Sequence, residues 1–99
     1  MATLHIEHPI TDLDTWLGAF ARFEEARAKA GVRAQTIDQP VDDDKYIYIR
    51  LEFDGTEQAS AFKQFLETQV WTSRDASPGL GGTPHARVLT AVSTEPKTG

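Results

Sequence analysis

The side chains best suited to chemistry fall in two distant segments of the chain. His5 and Glu7 lie near the start, and Tyr46, Tyr48 and Arg50 lie in the run Lys45-Tyr46-Ile47-Tyr48-Ile49-Arg50-Leu51-Glu52-Phe53. Arg50 offers a permanent cation, Tyr48 an O–H donor, and His5 an acid or base near neutral pH. Together they can bind and polarise a carbonyl or a phenolate, with His5, Tyr48 and Arg50 in the catalytic roles. Glu7, Tyr46, His85 and Arg87 are candidates for ligand contacts around the same patch, and Trp71, beside a glycine-rich loop, is a candidate lid contact. The plainer account is a satisfied hydrogen-bond network in an interface, because buried charges need partners whether or not a ligand exists.

The elements that must position these residues follow from periodicity. In the 46–53 run, Ile47, Ile49, Leu51 and Phe53 alternate with Tyr46, Tyr48, Arg50 and Glu52, which defines a strand with one core face and one polar, aromatic face. Residues 3–8 alternate around Leu4 and Ile6 and end at Pro9, a short first strand. Parity then places His5 and Glu7 on the same face as Tyr48 and Arg50. Thr11 with Asp14 three residues later reads as a helix start. Leu13, Trp16, Leu17, Phe20 and Phe23 form one apolar stripe. A further four-residue step lands on Arg27, so the stripe is expected to continue through Ala26 and Ala30, and Gly31 to end the helix. Trp16, Phe20 and Phe23 read as core, with pocket lining the alternative.

Residues 32–39 form a polar second strand ended by Pro40, and Asp42-Asp43-Asp44 a solvated turn. A second helix starts at Thr56 and runs to about Val70 or Trp71, with Ala59, Phe62, Phe65, Leu66 and Val70 on its apolar stripe. Pro78, Gly79, Gly81, Gly82 and Pro84 break periodicity over 72–84, a loop long enough to be functional or disordered. Residues 86–92 form a last strand, and 93–99 a frayed tail.

Composition narrows the possibilities. Ninety-nine residues, 39% of them hydrophobic and 25% charged, suit one domain spanning 1–99, with an ordered core over about 3–92. A net charge of -5 without a basic cluster argues against nucleic acid or an anionic membrane as partner. There is no cysteine, hence no disulfide, thiolate catalysis or thiolate metal site. No signal-like N-terminus or membrane-length apolar segment is present, which makes the cytoplasm the expected location. The histidines at 5, 8 and 85 have no helical ligand pairing, and the glycine-rich loop lacks the Lys-Ser/Thr of a phosphate loop. No metal and no cofactor are called for.

The order strand, helix, strand, strand, helix, strand matches a split βαβ, ferredoxin-like α+β domain. It implies a four-stranded antiparallel sheet in the order 4-1-3-2, with both helices on one face. The other face carries Tyr46 and Tyr48, and the economical cover for it is a second copy in a two-fold dimer. The chain resembles the dimeric α/β-barrel superfamily, which includes antibiotic-biosynthesis monooxygenase-like proteins and small polyketide cyclases. The resemblance spans about residues 3–92. It rests on the element order, His8-Pro9-Ile10 with Asp14-Thr15-Trp16, the 46–53 strand with Asp54-Gly55, the helix end from Phe62 to Trp71, and Ser77-Pro78-Gly79-Leu80 with the Gly82-Thr83-Pro84 turn. It implies a homodimeric barrel whose interior or flanking cleft holds a small, often aromatic ligand. The implied activity is a cofactor-independent, monooxygenase- or cyclase-like reaction on an aromatic or polyketide-type substrate. A non-catalytic ligand-binding or structural dimer is the alternative.

Overall fold

The computed structural model describes residues 1–73 and 77–92. The expected tail over 93–99, and three residues of the 72–84 loop, lie outside the described residues. The elements run β1 (Ala2–Pro9), α1 (Leu13–Arg22), α2 (Glu24–Ala30), β2 (Ala34–Asp38), β3 (Tyr46–Phe53), α3 (Thr56–Phe65), a π-helical turn (Leu66–Val70) and β4 (His85–Thr90). The four strands form one antiparallel sheet in the order β2-β3-β1-β4, as the sequence order implied.

The two central strands pair in a register that aligns their apolar sets, Leu4 with Leu51 and Ile6 with Ile49. Because side chains alternate along a strand, this register sends every apolar residue of both strands to the helix side. Leu4, Ile47, Leu51 and Phe53 are fully buried there, with Phe62, Leu66 and Val70 packed against them. Each such side chain contributes about 1.5–3 kcal/mol of burial free energy.

The helices differ from expectation in three places. The cap of α1 is Asp12 rather than Thr11: its Oδ2 accepts from both the backbone N–H and the hydroxyl of Thr15, each at 2.9 Å. Thr11 is committed elsewhere, its N–H donating to the Gly79 carbonyl at 2.8 Å. The single expected helix is broken at Phe23, whose N–H bonds the Phe20 carbonyl three residues back, and α2 starts afresh at Glu24. As a result the apolar stripe does pass through residue 27: Arg27 is buried, Leu17 is exposed, and Ala26 is only partly covered. Finally, α3 does not run on as an α-helix to residue 70 or 71. It widens into the π turn, where the Trp71 N–H reaches the Leu66 carbonyl at 2.8 Å.

The glycine-rich segment, residues 77–82, forms a strap seated against the end of β1. Ile10 and Leu80 form an isolated antiparallel bridge, and the Gly81 N–H donates to the Pro9 carbonyl at 3.0 Å. Gly79 has φ +88°, and a Cβ on it would stand 2.9 Å from the backbone nitrogen of Trp16. Only glycine allows this approach. Gly79→Ala is therefore expected to cost about 1–3 kcal/mol in urea unfolding. Gly18→Ala, in α1 with nothing within 4 Å of the new Cβ, is expected to stabilise by about 0.5–1 kcal/mol. Equal midpoints for Gly79→Ala and the parent protein would show that the strap is not held there.

Candidate functional site

Seven of the eight sequence-predicted site residues share one patch on the sheet face away from the helices. The register sets His5 between Arg50 and Arg87, and Glu7 between Tyr48 and His85. His5 Nε2 lies 2.9 Å from Glu7 Oε2, and the Tyr46 hydroxyl donates to Glu7 Oε1 at 3.0 Å. Since an ionised carboxylate only accepts, the proton of the first contact sits on His5 Nε2. These two hydrogen bonds, the His5 contact first, hold the Glu7 carboxyl below its usual pKa. Tyr46 also packs edge-on against Tyr48, with ring centroids 5.3 Å apart, and its hydroxyl is pushed up by desolvation and by Glu7. Arg50 is exposed, reaching Glu52 at 3.9 Å, and His85 and Arg87 are exposed as well.

Trp71 is not part of that patch. It lines an open-sided cavity on the helix side, bounded by the sheet, α1, α2, α3, the π turn and the strap. The cavity measures about 70 Å³. On a comparable measure one water needs about 10–15 Å³, so the space admits several waters or a small organic group. Its wall is almost wholly apolar. Trp16 and Phe20, stacked at 4.9 Å, and Leu66, Val70 and Leu80 are interrupted by few polar side chains, chiefly His8 and Arg27. Trp16, Phe20 and Phe23 thus serve as both core and lining.

His8 is the residue that sequence reasoning passed over. It has the same parity in β1 as Leu4 and Ile6, so it points to the helix side, where it is 2% exposed. Its Nδ1 lies 2.8 Å from the Pro9 carbonyl, which can only accept, so Nδ1 carries the proton of the neutral ring. That leaves a lone pair on Nε2, for which no described residue supplies a partner. Burial holds the imidazole pKa below 6.5 despite the Pro9 hydrogen bond. A neutral imidazole with a free lone pair on an apolar cavity is a competent general base.

Arg27 is the second such residue. Its Nε donates to Gln35 Oε1 at 3.0 Å, its Nη1 to the Phe20 carbonyl, and its guanidinium carbon stands 3.7 Å above the Phe20 ring. The pattern 16, 20, 23, 27 contained the signal, but the charge of the residue argued against using it. Among the described residues no group of three or more His, Asp or Glu could hold a metal, and no helix is long and apolar enough to cross a membrane.

No family model matches the chain, and no curated protein matches it. Among solved structures it is similar to the crystal structure of a dimeric ferredoxin-like protein from an uncultured marine organism. The TM-score is 0.63 at 12% identity, over 98% of this chain and 100% of that one. The fold is ferredoxin-like. At this identity the likeness concerns architecture alone, and the two cavity residues carry the functional argument.

The His8 environment has a thermodynamic signature. The folded ring resists protonation more than the unfolded one, so the unfolded state binds the extra proton and stability falls as pH is lowered from 6.5 through the depressed folded value. NMR titration of the His8 ring is expected to give a midpoint below 6.5, with Nδ1 protonated at pH 7. A midpoint at or above 6.5 would contradict the buried, neutral assignment.

Proposed function

We propose that the protein is a homodimer that binds a small aromatic molecule in the helix-side cavity of each subunit and acts on it without a cofactor, His8 serving as general base. The observation that carries this reading is a buried, neutral imidazole on a mostly aromatic and aliphatic wall, its Nε2 without a partner among the described residues. Proton abstraction from a phenol or an enolisable carbonyl is the chemistry such a group supplies, and it is the opening step shared by cyclase-like and monooxygenase-like reactions. Trp16, Phe20 and Trp71 would sandwich the ring of the substrate, and the seated strap would keep water from the base.

In this proposal His5, Glu7, Tyr46, Tyr48 and Arg50, with His85 and Arg87 at the rim, belong to the surface that closes on a second copy. Two features support that assignment. Glu7 is already engaged by both His5 and Tyr46, which leaves it little capacity for a ligand. The similar marine protein is itself described as dimeric. Arg50 and Arg87 would then seek acceptors across the two-fold axis, and Tyr46 and Tyr48 would lose their remaining contact with water.

Native mass spectrometry is expected to show two subunits. Catalysis is testable without knowing the natural substrate, by following deuterium exchange at the central carbon of 1-phenyl-1,3-butanedione in buffered deuterium oxide. The protein is expected to accelerate exchange, and His8→Ala to remove about 10²–10⁴-fold of that acceleration while the variant still binds the diketone. Binding without any acceleration would instead identify a non-catalytic ligand carrier.

A further inference from the structure

Arg27 is a buried cation with no anion beside it among the described residues. It is 5% exposed, and the guanidinium stays protonated at neutral pH even though burial lowers its pKa. Among the described residues no carboxylate lies within 4.0 Å of it; Glu24, one turn earlier on α2, acts on it only through its longer-range field. A charge removed from water is costly unless it is paired, and arginines this well covered ordinarily face a carboxylate.

The hydrogen bonds Arg27 does make are to neutral oxygens. Nε is satisfied by Gln35 and Nη1 by the Phe20 carbonyl, which fixes the plane of the guanidinium over the Phe20 ring. Those contacts explain a structural duty at the break between α1 and α2. They leave Nη2, with two N–H groups, unengaged. Among the described residues no side-chain nitrogen or oxygen that is fully shut off lacks a partner, so Nη2 opens on accessible space, and Arg27 is one of the residues lining the cavity. A planar, pre-oriented guanidinium with donors to spare is the group best matched to a carboxylate.

Gln35, which Arg27 holds, and His8 are offset along the direction of the strands. Gln35 pairs with Leu51, and Leu51 pairs with Leu4, four residues from His8 along β1. Four residues of strand span about 13 Å. The side chains of His8, Trp16, Phe20 and Arg27 follow one another, with His8 and Trp16 centroids 6.1 Å apart, Trp16 stacked on Phe20, and Arg27 over the Phe20 ring. We infer that the cavity takes a small aryl-substituted carboxylic acid, its carboxylate against Arg27 and its ring along Phe20 and Trp16 toward His8. This inference rests on the proposed role of the cavity and adds the chemical class of its occupant.

The test is a matched pair of probes, trans-cinnamate and cinnamyl alcohol, titrated calorimetrically into the full-length protein at pH 7. Cinnamate is expected to bind at least tenfold more tightly, and Arg27→Met to bring the two affinities together. If Arg27→Met does not fold, Arg27→Lys replaces it. Loss of the forked donor geometry is expected to shrink the preference severalfold, and an undiminished preference would overturn the assignment to Arg27. Equal affinities in the parent protein would overturn the carboxylate inference while leaving the cavity as a ligand site. Failure of both probes to bind would remove the cavity reading and this inference with it.

Discussion

The antiparallel pairing of β1 with β3 is the constraint on which the rest of the molecule depends. Leu4 opposite Leu51 and Ile6 opposite Ile49 place every apolar side chain of the two central strands under the helices. The same register places His5, Glu7, Tyr48 and Arg50 on the opposite surface. A slip of one residue would exchange the two faces, burying charges and exposing the isoleucines, so the register is strongly specified. One pairing thus decides both what is core and what is left for a partner or ligand.

The two faces are chemically unlike, and this difference organises the functional account. On the open face the polar groups satisfy one another: His5 and Tyr46 share the Glu7 carboxylate, and Thr3 donates to Glu52 at 2.7 Å. Covering that surface leaves Glu7 already satisfied and makes Arg50 and Arg87 the charges a partner has to meet. On the helix face, by contrast, His8 Nε2 and Arg27 Nη2 have no partner among the described residues and stand beside a space that the surrounding aromatic rings do not fill. Unmet hydrogen-bonding capacity on a mostly apolar wall is costly, and its retention there is the ground for proposing a site.

Much of the architecture was legible in the chain. The strict alternation of Tyr46 to Phe53, the Pro9 and Pro40 stops, and the two apolar stripes were enough for the element order, the sheet order and the assignment of His5, Glu7, Tyr46, Tyr48 and Arg50 to a common face. What was not legible depends on interactions between elements. The α1–α2 break is stabilised by Arg27 covering the Phe20 carbonyl, a contact that exists only once α2 has turned. Burial of Arg27 then follows from that break, against the ordinary preference of arginine for the surface. The π turn at Leu66–Val70 has no periodic signature of its own, yet it holds Trp71 against the cavity rather than the open face. His8 is different: strand parity already pointed it at the helices, and only the expectation that chemistry would sit on the other face hid it.

In the proposed function the ligand enters on the helix side of the sheet. The most direct test is to follow the imidazole signals of the three histidines and the indole signals of the two tryptophans by heteronuclear NMR as a small aromatic ligand is added. The account predicts saturable shifts at His8, Trp16 and Trp71, with His5 and His85 unmoved. Shifts confined to His5 and His85, with His8 and both indoles silent, would place the ligand on the open face and contradict it.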